Sequence, residues 1–368
     1  MKILYWVSED WYFVSHRLRL ALQAKGEGHE VFVVTSLGRY RKLLESNGLN
    51  PIHLGINRAG KNVFQDLLTM FRLWRIYRDL KPDVVHHVAV KPVIYGSIVA
   101  GFSRVPKVIN ALAGLGYVYS SQDKIARFLR PIVSTLFKSI LNRRNTRLIV
   151  QNDDDYARFT HDLKLSKDRV CLIKGAGIDV SKFVVNPEPA GIIRVVLLAR
   201  LLGDKGVYDF VEAASILRGR DARVEMVLVG DIDSSNPSSV GASEIRRWQG
   251  QGLIKWDGFQ ANIQAVWDFA HISVLPSYRE GLPKSLLESS ACGRPMIATD
   301  VPGCREVVDG SNGILVPVRT PSALADAIEL LANDKELRIE MGIAARCKVE
   351  REFSSHIVDR ATLDLYVS

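Results

Sequence analysis

The chain has 368 residues, 47% of them apolar and 24% charged, with a mean hydropathy of +0.04 and a formal net charge of +9. These values describe a globular protein long enough for two domains, and they exclude a disordered, fibrous or disulfide-dense chain. No run reaches the roughly 18 apolar residues of a membrane-spanning helix; the longest, Val93 to Phe102, is too short and is followed by Arg104 and Lys107. The start, Met1-Lys2-Ile3-Leu4-Tyr5-Trp6-Val7, meets Glu9 and Asp10 at once and lacks a signal-peptide layout. Cys171, Cys292, Cys304 and Cys347 form no C-x-x-C pair and no metal-ligand spacing, which fits buried free thiols in a reducing cytoplasm. The charge is uneven. Residues 1–180 hold 28 Lys and Arg against 15 Asp and Glu, and the remainder 21 against 25. The basic first half points to an anionic partner (a membrane surface, a phosphate-rich substrate or nucleic acid) or to a solvated basic face.

In chain order, the first half alternates β-rich apolar runs with helix-period stretches. Strands are expected at Ile3–Val7, Val31–Thr35, Val84–His87, Val108–Leu112 and Leu148–Gln151, with helices such as Val14–Lys25 and Val63–Leu80 between them. The second half repeats the alternation. Its strands are Val195–Ala199, Glu225–Val229, Ile272–Leu275, Pro295–Ala298 and Ile314–Val316, and its helices include Val207–Leu217, Pro283–Ala291 and Pro321–Ala332. The fold class is therefore α/β, with two Rossmann-like, doubly wound domains in tandem. The Pro- and Gly-rich stretch Val184–Gly191 reads as the linker. It divides the chain into domains 1–185 and 186–352, with a C-terminal helix, 353–368, packing back on the first domain. The two sheets are expected to face each other across a cleft that holds the active site.

The densest chemistry lies in Pro276-Ser277-Tyr278-Arg279-Glu280-Gly281-Leu282-Pro283-Lys284-Ser285-Leu286-Leu287-Glu288. Glu280 falls in a turn after a strand, and Glu288 inside a helix that Pro283 starts at its first position. Free N–H groups at a helix start hold phosphate, and carboxylates on either side accept bonds from sugar hydroxyls. Arg200 and Lys205 follow the strand Val195–Ala199 and can neutralise a departing diphosphate. Together the four residues outline a sugar-nucleotide pocket. Asp231-x-Asp233 and Asp153-Asp154-Asp155 contain a metal-diphosphate pattern, but with Arg200 and Lys205 present no divalent metal is needed. No G-x-G-x-x-G follows the first strand and no P-loop occurs, against a nicotinamide or P-loop enzyme. Lys124 to Arg147 holds seven basic residues, Lys124, Arg127, Arg130, Lys138, Arg143, Arg144 and Arg147, interleaved with apolar ones and with no acidic residue. It reads as a membrane-surface element or as a solvated helix packed on its own sheet.

With its E-x7-E element (Glu280, Glu288) and upstream Arg200 and Lys205, the chain resembles the family-4 retaining glycosyltransferases of the GT-B fold. Gly175-Ala176-Gly177-Ile178-Asp179, the segment from Ala298 to Glu306, and Asn312 to Pro317 add to the likeness, which is dense from 172 to 318. The resemblance implies that Glu280 contacts the donor sugar, Glu288 the ribose, and the Gly281 and Leu282 N–H groups the phosphate, with Gly230 and Asp231 also lining the donor pocket. It implies that Arg200 and Lys205 stabilise the leaving diphosphate. It gives a histidine at the end of the Asp83–His87 strand access to the donor sugar; the pair is adjacent here where relatives have H-x-H, and His86 is taken as the one in register. The usual Gly-Gly loop is absent. Trp11 to Arg17 and Asn110 to Tyr117 instead resemble a subgroup associated with bacterial surface-polysaccharide assembly, O-antigen included. Acceptor binding is accordingly expected at Trp11, Ser15, His16, Arg17, Lys91, Gly114, Gly116 and Tyr117, with core packing as the alternative for Trp11 and Phe13.

The expectation is a retaining, metal-independent transfer, without cofactor, of a hexose or N-acetylhexosamine from a UDP-sugar to a glycan acceptor. The resemblance makes that acceptor polyprenyl-diphosphate-linked and the enzyme peripheral on the inner face of the cytoplasmic membrane, held through Lys124–Arg147, with no nucleic-acid partner. A sugar-nucleotide epimerase or hydrolase of the same fold, or a non-catalytic nucleotide-sugar-binding protein, are the rivals.

Overall fold

The computed structural model describes residues 1–55, 63–112, 134–233, 236 and 238–368. The chain divides into two compact units. One is Met1–Ala176 with Val358–Ser368, the other Gly177–Ile357.

The first unit is built on seven parallel strands: β1 (Lys2–Glu9), β2 (Glu30–Ser36), β3 (Asn50–His53), β4 (Val84–Val88), β5 (Lys107–Ala111), β6 (Thr146–Val150) and β7 (Val170–Leu172). Their order is β3-β2-β1-β4-β5-β6-β7. The central strand β1 is buried on both faces, which is why Ile3 to Val7 is an unbroken apolar run. Alternation sends Ile3, Tyr5 and Val7 to one layer, where they meet Phe13, Val358, Leu363 and Tyr366. Leu4 and Trp6 go to the other, against Leu73, Tyr77 and Val99.

The second unit carries β8 (Ile193–Leu198), β9 (Val224–Val229), β10 (Lys255–Trp256), β11 (Ile272–Leu275), β12 (Met296–Thr299) and β13 (Gly313–Val316), all parallel. The order is β10-β9-β8-β11-β12-β13. Strand order therefore reverses between β1 and β4 in one unit and between β8 and β11 in the other. In such sheets ligands bind outside the carboxyl ends of the strands at the reversal. Both units are thus doubly wound α/β domains, as expected for the fold class. Among the described residues no helix is long and apolar enough to cross a membrane.

Four expectations need correction. The boundary falls at Ala176/Gly177 and not at 185/186. The supposed linker is laced to the second unit: Val184 N–H donates to Gln264 Oε1 at 2.9 Å, Asn186 to Asp268 at 2.8 Å, and Glu188 binds Arg338 at 2.8 Å. Its prolines mark extended backbone held in place. The C-terminal helix, Ser355–Val367, joins the first unit from Val358 onward, not from 353. Its first turn stays with the second unit because Ser355 N–H donates to the Ile178 carbonyl at 2.7 Å. The single helix expected over Val14–Lys25 is two, Asp10–His16 and Leu18–Gly26, interrupted at Arg17, whose φ of −130° is not helical.

Candidate donor site and acceptor-side residues

The second unit gathers Arg200, Lys205, Glu280 and Glu288 at the β8/β11 reversal. After β8 the chain turns through Arg200 to a single 3-10 turn, Gly203–Lys205, closed by Gly206 in the left-handed region at φ 74°. A Cβ on Gly206 would run into the Pro276 carbonyl oxygen, so glycine allows the two post-strand loops to meet. Tyr278 N–H donates to the Asp204 carbonyl at 2.9 Å across that contact. The outcome is a contact between chemistry-bearing groups: Lys205 Nζ lies 2.6 Å from Glu280 Oε1, with the carboxylate largely buried.

The Glu280 turn is held from other sides too. Thr299 Oγ1 donates to the Ser277 carbonyl. The helix Pro302–Val307 presses Gly303 on it so closely that a Cβ there would meet the Gly281 carbonyl oxygen and the Glu280 carbonyl carbon. Tyr278 donates to Asp209 at 3.0 Å, with the Arg319 guanidinium 4.8 Å from its ring centre. Asp209 is buried on the helix Val207–Gly219, and burial raises its carboxyl above the ordinary range, with Tyr278 opposing. Asp209 escaped the sequence reading, since nothing in its spacing ties it to Glu280; Gly303 was read only as part of the Ala298–Glu306 segment, with no role beside Glu280.

Glu288 lies on the helix Lys284–Ala291 and is buried, which removes a solvent-facing reading for it. Burial pushes its carboxyl upward, and Lys284, 3.2 Å away and one turn earlier, partly offsets this. Pro283 occupies the cap position before this helix, one residue earlier than expected, and Gly281 and Leu282 immediately precede it. Arg200 is half-exposed and pairs with Asp233 at 3.0 Å, so that carboxylate of the D-x-D pattern serves the cation. Asp231 is exposed, and its carbonyl accepts the Leu201 N–H at 3.0 Å. Gly230, at φ 142°, lies so near the Ala199 carbonyl that no side chain fits. Glycine there lets the chain segments that follow β8 and β9 approach each other closely.

The first unit treats its expected residues differently. His86 is fully buried: its Nδ1 is 2.6 Å from the Tyr366 hydroxyl, its ring stacks on Tyr5, and Tyr366 donates onward to Tyr5 at 3.0 Å. Burial, with Arg17 and His87 adding to it, holds His86 well below the ordinary histidine range. A residue so enclosed does not present itself to a donor sugar, and the catalytic expectation for His86 is withdrawn. His87 faces the other layer, its Nδ1 2.8 Å from Asn110 Oδ1 and its Nε2 2.7 Å from the Tyr77 hydroxyl. Arg17 is buried as well, and Lys91 is neutralised by Asp66 at 3.2 Å; neither is an open acceptor-side cation. Trp11 and Ser15 are exposed, and His16 stacks on Tyr12 with ring centres 4.1 Å apart, whereas Phe13 is core. Gly114, Gly116 and Tyr117 lie outside the described residues, as do Lys124, Arg127 and Arg130. In the described part of that basic segment a helix covers 134–141. Its Phe137, Ile140 and Leu141 are buried in the core, and Arg143 donates to the Ser97 carbonyl at 3.0 Å. The apolar side of this stretch is therefore not available to lipid.

Comparison with known families decides what kind of protein carries this site. The family described as Glycosyl transferases group 1 matches residues 193–334, and Glycosyl transferase 4-like matches residues 2–152. Residues 193–334 carry a group 1 glycosyltransferase domain and residues 2–152 a glycosyltransferase 4-like domain, and the chain is a glycosyltransferase. The transferase is 28% identical over 364 residues, 95% of this chain and 94% of the relative, to the N,N'-diacetylbacillosaminyl-diphospho-undecaprenol α-1,3-N-acetylgalactosaminyltransferase of Campylobacter jejuni. It is 23% identical, covering 83% of this chain and 80% of the relative, to the UDP-Gal:α-D-GlcNAc-diphosphoundecaprenol α-1,3-galactosyltransferase of Escherichia coli. Among solved structures, Anabaena HepE in complex with UDP superposes with a TM-score of 0.79 at 18% identity, covering 99% of both chains. That likeness establishes the GT-B fold of the transferase.

Proposed function

We propose that this glycosyltransferase moves a hexose or N-acetylhexosamine from a UDP-sugar to a polyprenyl-diphosphate-linked glycan in surface-polysaccharide or glycoconjugate assembly. The observation that carries the reading is the Lys205–Glu280 contact at the β8/β11 reversal, with Arg200 and buried Glu288 in the same unit. The names of the Campylobacter jejuni and Escherichia coli relatives, both acting on undecaprenol-diphosphate-linked sugars, support the acceptor class. The UDP named with Anabaena HepE is consistent with the base.

In this reading Glu288 accepts bonds from ribose hydroxyls, and Glu280 orients the donor sugar. The Gly281 and Leu282 N–H groups and the Gly230–Asp231 backbone line the diphosphate. Arg200 and Lys205 offset the charge that grows on the diphosphate as the glycosidic bond breaks, which is where a fixed cation accelerates reaction most. Two such cations make a divalent metal unnecessary. The acceptor hydroxyl attacks from the face the diphosphate leaves, the leaving phosphate takes its proton, and configuration is retained. Trp11, Ser15 and His16 serve the acceptor side. The enzyme works at the inner face of the cytoplasmic membrane, to which its basic first half draws it. Thermal shift against a panel of nucleotide-sugars tests the donor half: UDP-sugars raise the melting temperature of the wild type, with EDTA present, and fail to do so for Glu288→Ala. Equal shifts in both proteins would remove Glu288 from the site.

A further inference from the structure

A lysine ammonium sits on a flexible four-carbon stem, so its position in a site is set by what holds it. Lys205 is held by Glu280, and Glu280 by the turn it lies on. Tyr278, two residues earlier, anchors that turn. Its hydroxyl donates to Asp209 Oδ1 at 3.0 Å, and its backbone N–H to the Asp204 carbonyl at 2.9 Å. The Arg319 guanidinium, from the loop after β13, lies 4.8 Å from its ring centre. Arg319 itself has a φ of 56°, in the left-handed region that a residue with a side chain adopts only where its surroundings impose it. Asp204 and Asp209 flank Lys205 in sequence, in the 3-10 turn and in the first turn of the helix Val207–Gly219. Tyr278 is therefore gripped from both sides of Lys205, by backbone before the lysine and by a side chain after it.

Asp209 is buried, and burial raises its carboxyl above the ordinary range. A carboxylate in such a place costs stability that an apolar side chain of similar size would not. Packing of the helix does not call for it, since Val207, Phe210, Val211, Ala213 and Ala214 supply the buried contacts. We propose that Asp209 is a positioning residue for the transfer: through the Tyr278 hydroxyl it fixes the Glu280 turn, and so holds the Lys205 ammonium at the place the diphosphate leaves. Asp209 touches no reacting atom itself. A group displaced by about 1 Å in an active site can cost on the order of 100-fold in rate. The inference deepens the donor-site reading above and rests on it.

The test reads the Lys205–Glu280 contact in the full-length protein without ligand, and then turnover. In proton–nitrogen correlation spectra of the lysine ammonium groups, the ion-paired Lys205 gives a resolved signal, assigned by its loss in Lys205→Arg. Asp209→Leu and Tyr278→Phe abolish that signal. Asp209→Asn, which keeps an oxygen to accept the Tyr278 O–H, retains it. In turnover, kcat falls at least about tenfold in Asp209→Leu and Tyr278→Phe and stays within about threefold of wild type in Asp209→Asn. Once Lys205 is replaced by alanine, Asp209→Leu costs at least about threefold less than it does in the wild type, because the group it positions is gone. No Lys205 signal in the wild type, an unchanged signal in folded Asp209→Leu and Tyr278→Phe, or its loss in Asp209→Asn would overturn the proposal. So would an equal kcat loss from Asp209→Leu with and without Lys205, the result of a merely structural role. Should Asp209→Leu fail to fold, Tyr278→Phe decides, alone and combined with Lys205→Ala, since it removes the same bond and keeps the ring. The ammonium signal needs no nucleotide-sugar, so a failure of the transferase reading shows separately, as absent transfer by wild-type protein whose Lys205 signal still depends on Asp209.

Discussion

Lys205 Nζ and Glu280 Oε1 are 2.6 Å apart although 75 residues separate them in sequence. Gly206 and Tyr278 make that proximity possible, by letting the loops after β8 and β11 touch. The contact holds Lys205 beside the group read as the donor-sugar contact. Replacing Lys205 by alanine is expected to lower kcat at least about tenfold, about 1.4 kcal/mol of lost transition-state stabilisation. Steady-state kinetics with saturating donor measure it, and an unchanged kcat would take the diphosphate role from Lys205.

Gly303 carries a second prediction. A Cβ there would come within 2.8 Å of the Glu280 carbonyl carbon, and the obstacle is backbone, which cannot swing aside. Gly303→Ala is expected to destabilise the second unit by about 1–3 kcal/mol. It should also weaken UDP binding about tenfold, because the displaced turn carries Glu280 and Gly281. Calorimetric titration with UDP checks the affinity, and wild-type affinity would show that the turn tolerates the shift.

The outline of the fold was legible in the sequence because parallel strands buried on both faces are unbroken apolar runs, as Ile3–Val7 and Met226–Val229 are. β3, β7 and β10 are short, β3 and β10 are also in part polar, and alternation did not reveal them. Glu280, Glu288, Arg200 and Lys205 were legible because their chemistry and strand-end positions agree. His86 was misread because its partner, Tyr366, is 280 residues away on the last helix. No local pattern announces such a bond. Arg17 and Lys91 were misread for a similar reason. A cation in a sequence looks available until its burial or its Asp66 is seen.

The Tyr366 hydroxyl bonds both His86 and Tyr5 in a dry interior. Tyr366→Phe strands the His86 ring nitrogen, and stability should fall by about 1–3 kcal/mol. Urea denaturation reads the change. Donor KM is expected to stay at the wild-type value, since His86 has no catalytic part; a large change in kcat in a fully folded variant would restore one.

His87 predicts a pH effect. Burial lowers it to about 4, with the Asn110 bond pulling the other way. Its unfolded value is about 6.5. The unfolded chain therefore binds more protons between those limits, and stability falls as pH drops from about 6.5 to about 4. Above that window His87 is neutral in both states and exerts no pull. The full loss is on the order of 3 kcal/mol. Comparing urea midpoints of the wild type and His87→Gln at pH 7 and pH 4.5 isolates the effect: the acid-induced fall should be smaller in the variant. Identical falls would place the titration elsewhere.

The most direct test of the proposed function is transfer itself. The protein is incubated with a UDP-sugar panel, with and without an undecaprenyl-diphosphate-linked saccharide, in EDTA, and the product is analysed by NMR. The account predicts acceptor-dependent transfer from a UDP-sugar, with the donor's anomeric configuration kept in the new linkage. Rapid conversion of the donor without acceptor, or an inverted linkage, would contradict it.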